Sequence, residues 1–490
     1  MAAISALSDI NSYVTQLISL ERQQGPIPMY QQEQQDLTLR SATLTDLRTN
    51  LSAVNTAAQS LAQVGVLSPF QAKTVTSSTP TVATATATSS ALSASHSLLV
   101  TQLAKTDTVT SKRFADAGTD LVTAEGAGTK TVRIAVDGTS YDIDVALGAG
   151  DTNETVLTNL AAAINADAGA SAKVTASVVQ VDDTGSKLVL MSKQTGLAHA
   201  LTLSDQAGTL FASADVRDGA PADDGTNRGG YLYADSALNA KFTLDGLSLT
   251  RSSNTVADAL TGVTLTLLGT QAASDAPVTL TAGADQSGIQ AKVQSFLDSY
   301  NTLIKFLDER TSTKVSTSTS TTGTTSVDSI QRGPLAGQPV YRSLMIGLRS
   351  DVGGSIGSAT TGGPAYLVEI GITAGSDGTL SITDSAKFSA ALNDPMGISA
   401  LFGSSDGIAT RVQNRLSSFL STGGVLDNSQ DAITSQQSDL TRSIKQQEDL
   451  LTVEQNGLIQ QYTALQEVLA QLSDQQSVLD SINGTTSSLF

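Results

Sequence analysis

Ile444-Lys445-Gln446-Gln447-Glu448-Asp449-Leu450-Leu451-Thr452-Val453-Glu454-Gln455-Asn456-Gly457-Leu458 opens a run in which Leu or Ile returns every seventh residue: Ile444, Leu451, Leu458, Leu465, Leu472 and Leu479. Upstream, Leu426, Ile433 and Leu440 keep the same spacing, and the step from Leu440 to Ile444 is a d-to-a step. A seven-residue repeat matches two turns of a slightly underwound helix, so these side chains form one narrow seam. The positions between are mostly Gln, Ser, Asp and Glu. A helix with a thin apolar seam cannot build a core alone, so the repeat predicts partner helices and assembly before chemistry.

The other end of the chain supplies a partner. Leu37, Leu44, Leu47, Leu51, Val54, Ala58 and Leu61 form a second seam, and Ile10, Val14, Leu17 and Ile18 a shorter amphipathic helix before it, with Asp9 as its expected N-cap. Gly25-Pro26 and Pro28 break the two apart. The simplest arrangement pairs both termini as an antiparallel coiled coil, everything else being inserted between. The residues expected to make partner or oligomer contacts are Ile10, Val14, Leu17, Leu44, Leu47, Leu51, Ile444, Leu451, Leu458, Leu465, Leu472 and Leu479.

Composition narrows the function. At 490 residues the chain is too long for one core. Asp and Glu outnumber Lys and Arg by 46 to 28, a net charge of -18 that opposes nucleic-acid binding. Cysteine is absent, which removes disulfides, thiolate zinc sites and a thiol nucleophile. Tryptophan is absent too and aromatic residues make up only 4%, poor material for an aromatic-lined ligand pocket. No membrane span is expected. Nor is a cleaved leader, since the first cationic side chain is Arg22.

The middle changes texture. Thr81-Val82-Ala83-Thr84-Ala85-Thr86 alternates as a strand does, and Asp137-Gly138 and Asp245-Gly246 each join two strand-like runs as type I′ hairpins. Glu154 to Asn165 reads as one helix with Val156, Leu157, Leu160 and Ile164 on a face. Helical texture returns at Ile289, whereas the Ser/Thr tract 311–328 reads as a loop. The fold class expected is multidomain α+β: a helical, coiled-coil leg from both termini with β-rich head domains inserted in the middle. The divisions expected are terminal helices at 1–40 and 430–490, a helical leg domain at 41–75 and 285–429, a β-rich head domain at 76–114 and 231–284, and an inserted α+β domain at 115–230.

No constellation for catalysis, cofactor or metal stands out. His96 and His199 lie far apart and read as surface or strand positions. Asp218-Gly219 and Asp223-Asp224-Gly225 lack the alternating ligands and closing Glu of a calcium loop. Asp142 and Asp144 alternate on what reads as a wet strand face.

Several segments in order resemble the flagellar hook-associated protein 2 family, the bacterial filament caps. They are Asp9 to Arg22; Phe70-Gln71-Ala72-Lys73 through Val100-Thr101-Gln102-Leu103-Ala104; Val132 to Leu203; Phe242-Thr243-Leu244-Asp245-Gly246 with Arg251-Ser252-Ser253-Asn254-Thr255-Val256; Phe296-Leu297-Asp298-Ser299-Tyr300-Asn301-Thr302-Leu303; and Gly424-Val425-Leu426-Asp427. The resemblance implies a homo-oligomeric ring of about five or six copies at the distal end of the filament. There it prevents flagellin leakage and promotes flagellin folding and insertion. It also implies export by the flagellar type III apparatus, a cytoplasmic export chaperone on the C-terminal helix, and the hook-filament junction proteins as neighbours. Two other readings are open: a secreted adhesin gripping host glycans or mucin through the β-rich head, or another hook-associated junction protein.

Overall fold

The computed structural model describes residues 2–216, 228–319, 325–357 and 363–486, and for 2–10, 315–329 and 480–486 the backbone alone. The Asp218-Gly219 and Asp223-Asp224-Gly225 turns lie outside the described residues. Two compact units divide the chain, one of Met1–Phe70 with Gln286–Phe490, the other of Gln71–Asp285.

The first unit is helical. Its first helix runs Ala2–Gln24, so Asp9 lies inside it instead of capping it. Ala2, Ala3 and Ala6 favour helix and no breaker precedes Asp9. Pro26 lacks an N–H and clashes with a preceding turn, and a new helix, Ile27–Ala62, starts just after it. Leu37, Leu44, Leu47, Leu51, Val54, Ala58 and Leu61 all turn inward. They meet Val293, Phe296, Leu297, Tyr300 and Leu307 of helix Gln286–Thr311, Tyr341 and Leu348 of helix Pro339–Gly353, and Val412 and Leu416 of helix Ile408–Leu420 in one core. Phe402 stacks on Phe70 at 6.4 Å between ring centroids and meets Phe296 edge-on at 6.1 Å. A single helix of 62 residues, Val425–Thr486, closes the unit, its start marked by Gly423-Gly424.

A further local expectation changes. The Ser/Thr tract forms strands Thr313–Thr319 and Thr325–Arg332, paired antiparallel, because threonine and valine are β-branched and favour extended backbone even where the tract is mostly polar. Leu367–Ile370 is a single 3-10 turn. It ends at Gly371 in the left-handed region, and the short ladder lies after it, Ile372–Ala374 on Leu380–Ile382.

The second unit is β-rich. Strand Lys73–Ser77 pairs with Val278–Ala284, so the chain enters and leaves this unit on neighbouring antiparallel strands. The sheet continues through Ala94–Gln102 and Ala240–Leu244 to Leu247–Arg251. A three-stranded sheet of Thr255–Leu260, Val263–Leu267 and Ala83–Ala87 shares its core of Leu98, Val100, Phe242, Leu265 and Leu280. A second core belongs to the segment between. Helix Asn153–Ala166 buries Val156, Leu157, Leu160 and Ile164 among Val132, Ile134, Ile143, Val145, Leu188 and Leu190. Both Asp-Gly pairs sit in two-residue hairpin turns with positive φ throughout, 53° and 74° at Asp137-Gly138, 51° and 82° at Asp245-Gly246. Asp142 and Asp144 do line one face of Thr139–Leu147, yet both are engaged across the ladder. Asp142 takes two bonds from Arg133, at 2.6 and 2.7 Å, and Asp144 one from Thr131 at 2.6 Å.

Three asparagines fasten these elements. Asn254 accepts from the Ala104 N–H at 2.7 Å and donates to the Ala104 carbonyl at 2.9 Å. Asn301 treats Leu380 the same way, at 2.7 and 2.8 Å, and Asn165 holds Ala176 at 3.1 and 2.7 Å. Each amide completes both polar groups of one backbone residue, as a neighbouring strand would.

Candidate assembly surface

The two terminal helices of the N-terminal end lie against the long C-terminal helix, and the polar bonds between them fix the direction. Arg48 pairs with Asp427. Gln430 donates to Ser41 at 2.8 Å, Gln437 to Thr38 at 3.3 Å, and Gln34 to Thr441 at 2.8 Å. Arg22 pairs with Glu448, and Gln455 donates to Thr15 at 3.5 Å. One set of numbers falls as the other rises, so the helices run antiparallel. The glutamines flanking the seam supply most of these bonds. They pair with hydroxyls, which keeps the flanks hydrated and the contacts weak.

The seam itself grades from covered to bare. Leu426 and Ile433 are buried and Leu440 packs at the core edge. Ile444, Leu451 and Leu458 are half-buried. Val14 is 3% exposed, but Leu17 one turn on is 53% exposed. Tyr13, Val14, Leu17, Leu458 and Tyr462 line an apolar groove of about 320 Å³. Beyond it Leu465, Leu472 and Leu479 stand 52%, 54% and 60% exposed. Leu44, Leu47 and Leu51 are buried in the core of their own unit. Ile10 lies on the first helix, and its side chain is outside the described residues.

Heptad reading missed part of this surface. Leu450, Val453, Val468 and Leu469 are also exposed, as are Tyr13 and Leu20, which widens the stripe beyond one seam. Their signal was the apolar pairs Leu450-Leu451 and Val468-Leu469, which a strict seven-residue count passes over. The C-terminal part of the sequence that carries the stripe is acidic. From Gln446 onward the sequence holds Glu448, Asp449, Glu454, Glu467, Asp474 and Asp480 and no Lys or Arg.

Among the described residues no group of three or more His, Asp or Glu is placed to hold a metal ion, and no helix is long and apolar enough to cross a membrane. An apolar seam at heptad spacing with polar flanks is the pattern by which helices pack on other helices.

Comparison with known proteins agrees with that surface. A sequence model described as flagellar hook-associated protein 2 N-terminus matches residues 7–107, and one described as flagellar hook-associated protein 2 C-terminus matches residues 237–474. The A-type flagellar hook-associated protein 2 of Pseudomonas aeruginosa is 30% identical over 478 residues, 95% of this chain and 93% of its own length. The flagellar hook-associated protein 2 of Escherichia coli K12 is 27% identical over 495 residues, 98% of each. The crystal structure of the D1-D2-D3 domains of the flagellar cap protein FliD from Escherichia coli, 28% identical, superposes with a TM-score of 0.58 over 80% of this chain and 99% of that one. With its two ends matching both halves of one family and a relative of this identity spanning nearly all of it, the chain belongs to the flagellar hook-associated protein 2 family.

Proposed function

We propose that the chain caps the distal end of the bacterial flagellar filament, outside the cell, as one subunit of a homo-oligomeric ring. The family carries the capping role and its place at the filament tip, and it is a structural family, not a known enzyme family. Finer points are part of the same proposal. About five or six copies close the ring, flagellin is the client, and the hook-filament junction proteins and a cytoplasmic export chaperone are further partners, the chaperone through the C-terminal helix. The four-part division of leg and head given from the sequence is retained on the same terms, the two hydrophobic cores of the β-rich unit supporting its split into two head domains.

The observation that supports this reading best is the graded seam. A helix whose heptad seam is covered over its first turns and bare from Leu465 onward is complete as a fold and incomplete as a surface. Leu17, Leu465, Leu472 and Leu479 are the proposed contacts to neighbouring subunits and to flagellin's helices. An adhesin acting through the β-rich head has no support from the relatives, which match at both ends as well as in the middle.

The test is deletion of the gene in its flagellated host, followed by comparison of flagellin in filaments with flagellin in the medium. The cap reading expects shed flagellin and no filaments, with growth restored by the full chain and not by residues 71–285. Normal filaments in the deletion strain would end it.

A further inference from the structure

Asp-Gly is among the dipeptides prone to succinimide formation in an aging protein. The glycine amide nitrogen attacks the aspartyl Cγ, an N–Cγ bond forms, the Cγ–OH bond of the protonated carboxyl breaks, and the hydroxyl leaves with the amide proton as water. The resulting succinimide is reopened by water at either carbonyl, giving aspartate or isoaspartate. The reaction needs a carboxyl that is protonated and free to meet the nitrogen, because an ionised, bonded carboxylate is a poor electrophile and loses no hydroxyl.

Four Asp-Gly pairs lie among the described residues, and each carboxylate is held by more than one donor. Asp406 takes two bonds from Arg411, both at 2.7 Å, and one from Gly357 N–H at 2.9 Å. Asp377 takes two from Thr379, at 3.0 and 2.7 Å. At these two the attacking nitrogen is engaged as well: Gly378 N–H donates to Gly375 at 2.9 Å and Gly407 N–H to Ser404 at 2.9 Å. The two hairpin turns differ. In a two-residue turn the closing bond runs between the flanking residues, so it does not occupy the glycine N–H. There the protection falls on the carboxylate, and both histidines of the chain are spent on it. His96 Nδ1 lies 2.7 Å from Asp245, whose other oxygen accepts from Ser97 N–H at 2.9 Å. His199 Nδ1 lies 2.5 Å from Asp137, whose other oxygen meets Lys173 Nζ at 2.7 Å.

We propose that His96 and His199 guard the two hairpin Asp-Gly turns against succinimide formation, by holding Asp245 and Asp137 as bonded carboxylates. The chemistry is independent of the capping role; that role says only why durability matters, since a protein stationed outside the cell is beyond the cell's repair enzymes. All four aspartates are held below the ordinary carboxylate range. Their bonded partners are the main cause: Lys173 with His199 at Asp137, His96 with Ser97 at Asp245, Thr379 at Asp377, Arg411 with Gly357 at Asp406.

The test ages the full chain in warm neutral buffer and quantifies isoaspartate at each site by peptide mapping, with amide exchange of the turns measured in parallel. In His96→Ala, isoaspartate at 245 is expected to rise about tenfold, the scale of one charge-assisted hydrogen bond, while 137, 377 and 406 stay at the parent rate. In His199→Ala the rise is at 137 alone. No rise, or a rise matched by faster amide exchange of the same turn, overturns the proposal, the second because the histidine then only stiffens the turn. If an alanine variant ages at all four sites, its fold is lost and His96→Gln and His199→Gln decide. These keep a neutral donor: a smaller rise confined to the variant's own turn supports the guard, and a parental rate or a general rise overturns it.

Discussion

Asn254 and Asn301 do with one side chain what a strand does with its backbone, and their cost of removal follows. Truncation to alanine leaves an N–H and a carbonyl of Ala104 or Leu380 without partners at part-buried positions. Asn301→Ala is therefore expected to lower unfolding free energy by about 2 kcal/mol, read by denaturant titration. Tyr300 points the other way. Its ring is fully buried between Phe296 and the core, its hydroxyl has no bonding partner among the described residues, and burial pushes the phenol well above its ordinary range. Tyr300→Phe should leave the stability equal or raise it by up to ~1 kcal/mol. Asp406 sets a pH dependence. Bonds from Arg411 and Gly357 hold its carboxyl down to about 2, against an ordinary 3.8. A depressed carboxylate stabilises the fold above its unfolded value, and the effect fades as pH falls through the folded one. Asp406→Asn should thus be less stable than the parent at neutral pH, the gap closing between about pH 4 and about pH 2.

Among the elements, legibility followed the strength of the period. The seven-residue repeat outweighed Gly457 and gave one helix where a lone glycine costs only about 1 kcal/mol. The Asp-Gly pairs gave both hairpins, because that dipeptide suits a turn that needs positive φ twice. Residues 311–328 misled because polarity was weighed above β-branching, and the first helix began early because a cap residue was read as a start. What a seam touches was not legible at all. Leu47 and Leu465 look alike in sequence, yet one is wholly buried in its own unit and the other half bare. An apolar face is written in the chain, but the element that covers it depends on distant packing. The two leucines therefore make opposite predictions. Leu47→Asp buries a charge and should unfold the helical unit, seen as loss of its cooperative thermal transition. Leu465→Asp should shift the stability of the isolated chain by no more than about 0.5 kcal/mol while abolishing filament growth in a complementation assay. Equal behaviour of the two would count against an assembly role for the bare seam.

For the whole molecule the useful fact is separate cores. Residues 71–285 bury Phe242, Leu98 and Leu280 in one cluster and Leu160, Ile164 and Leu190 in another, without help from the helical unit's own cluster. Expressed alone, that fragment is expected to give a β-rich circular dichroism spectrum and a cooperative melt. The way it is spliced in goes further. Lys73 faces Ala284, and the Asp285 N–H bonds the Ala72 carbonyl at 3.0 Å. To the host helices, then, a guest of two hundred residues presents the same two ends as a tight hairpin. The closure entropy of a loop grows only with the logarithm of its length, so the host scarcely registers how large the guest is. Head size is a free variable for this scaffold: lineages can lengthen, shorten or exchange the guest while the host helices keep their register.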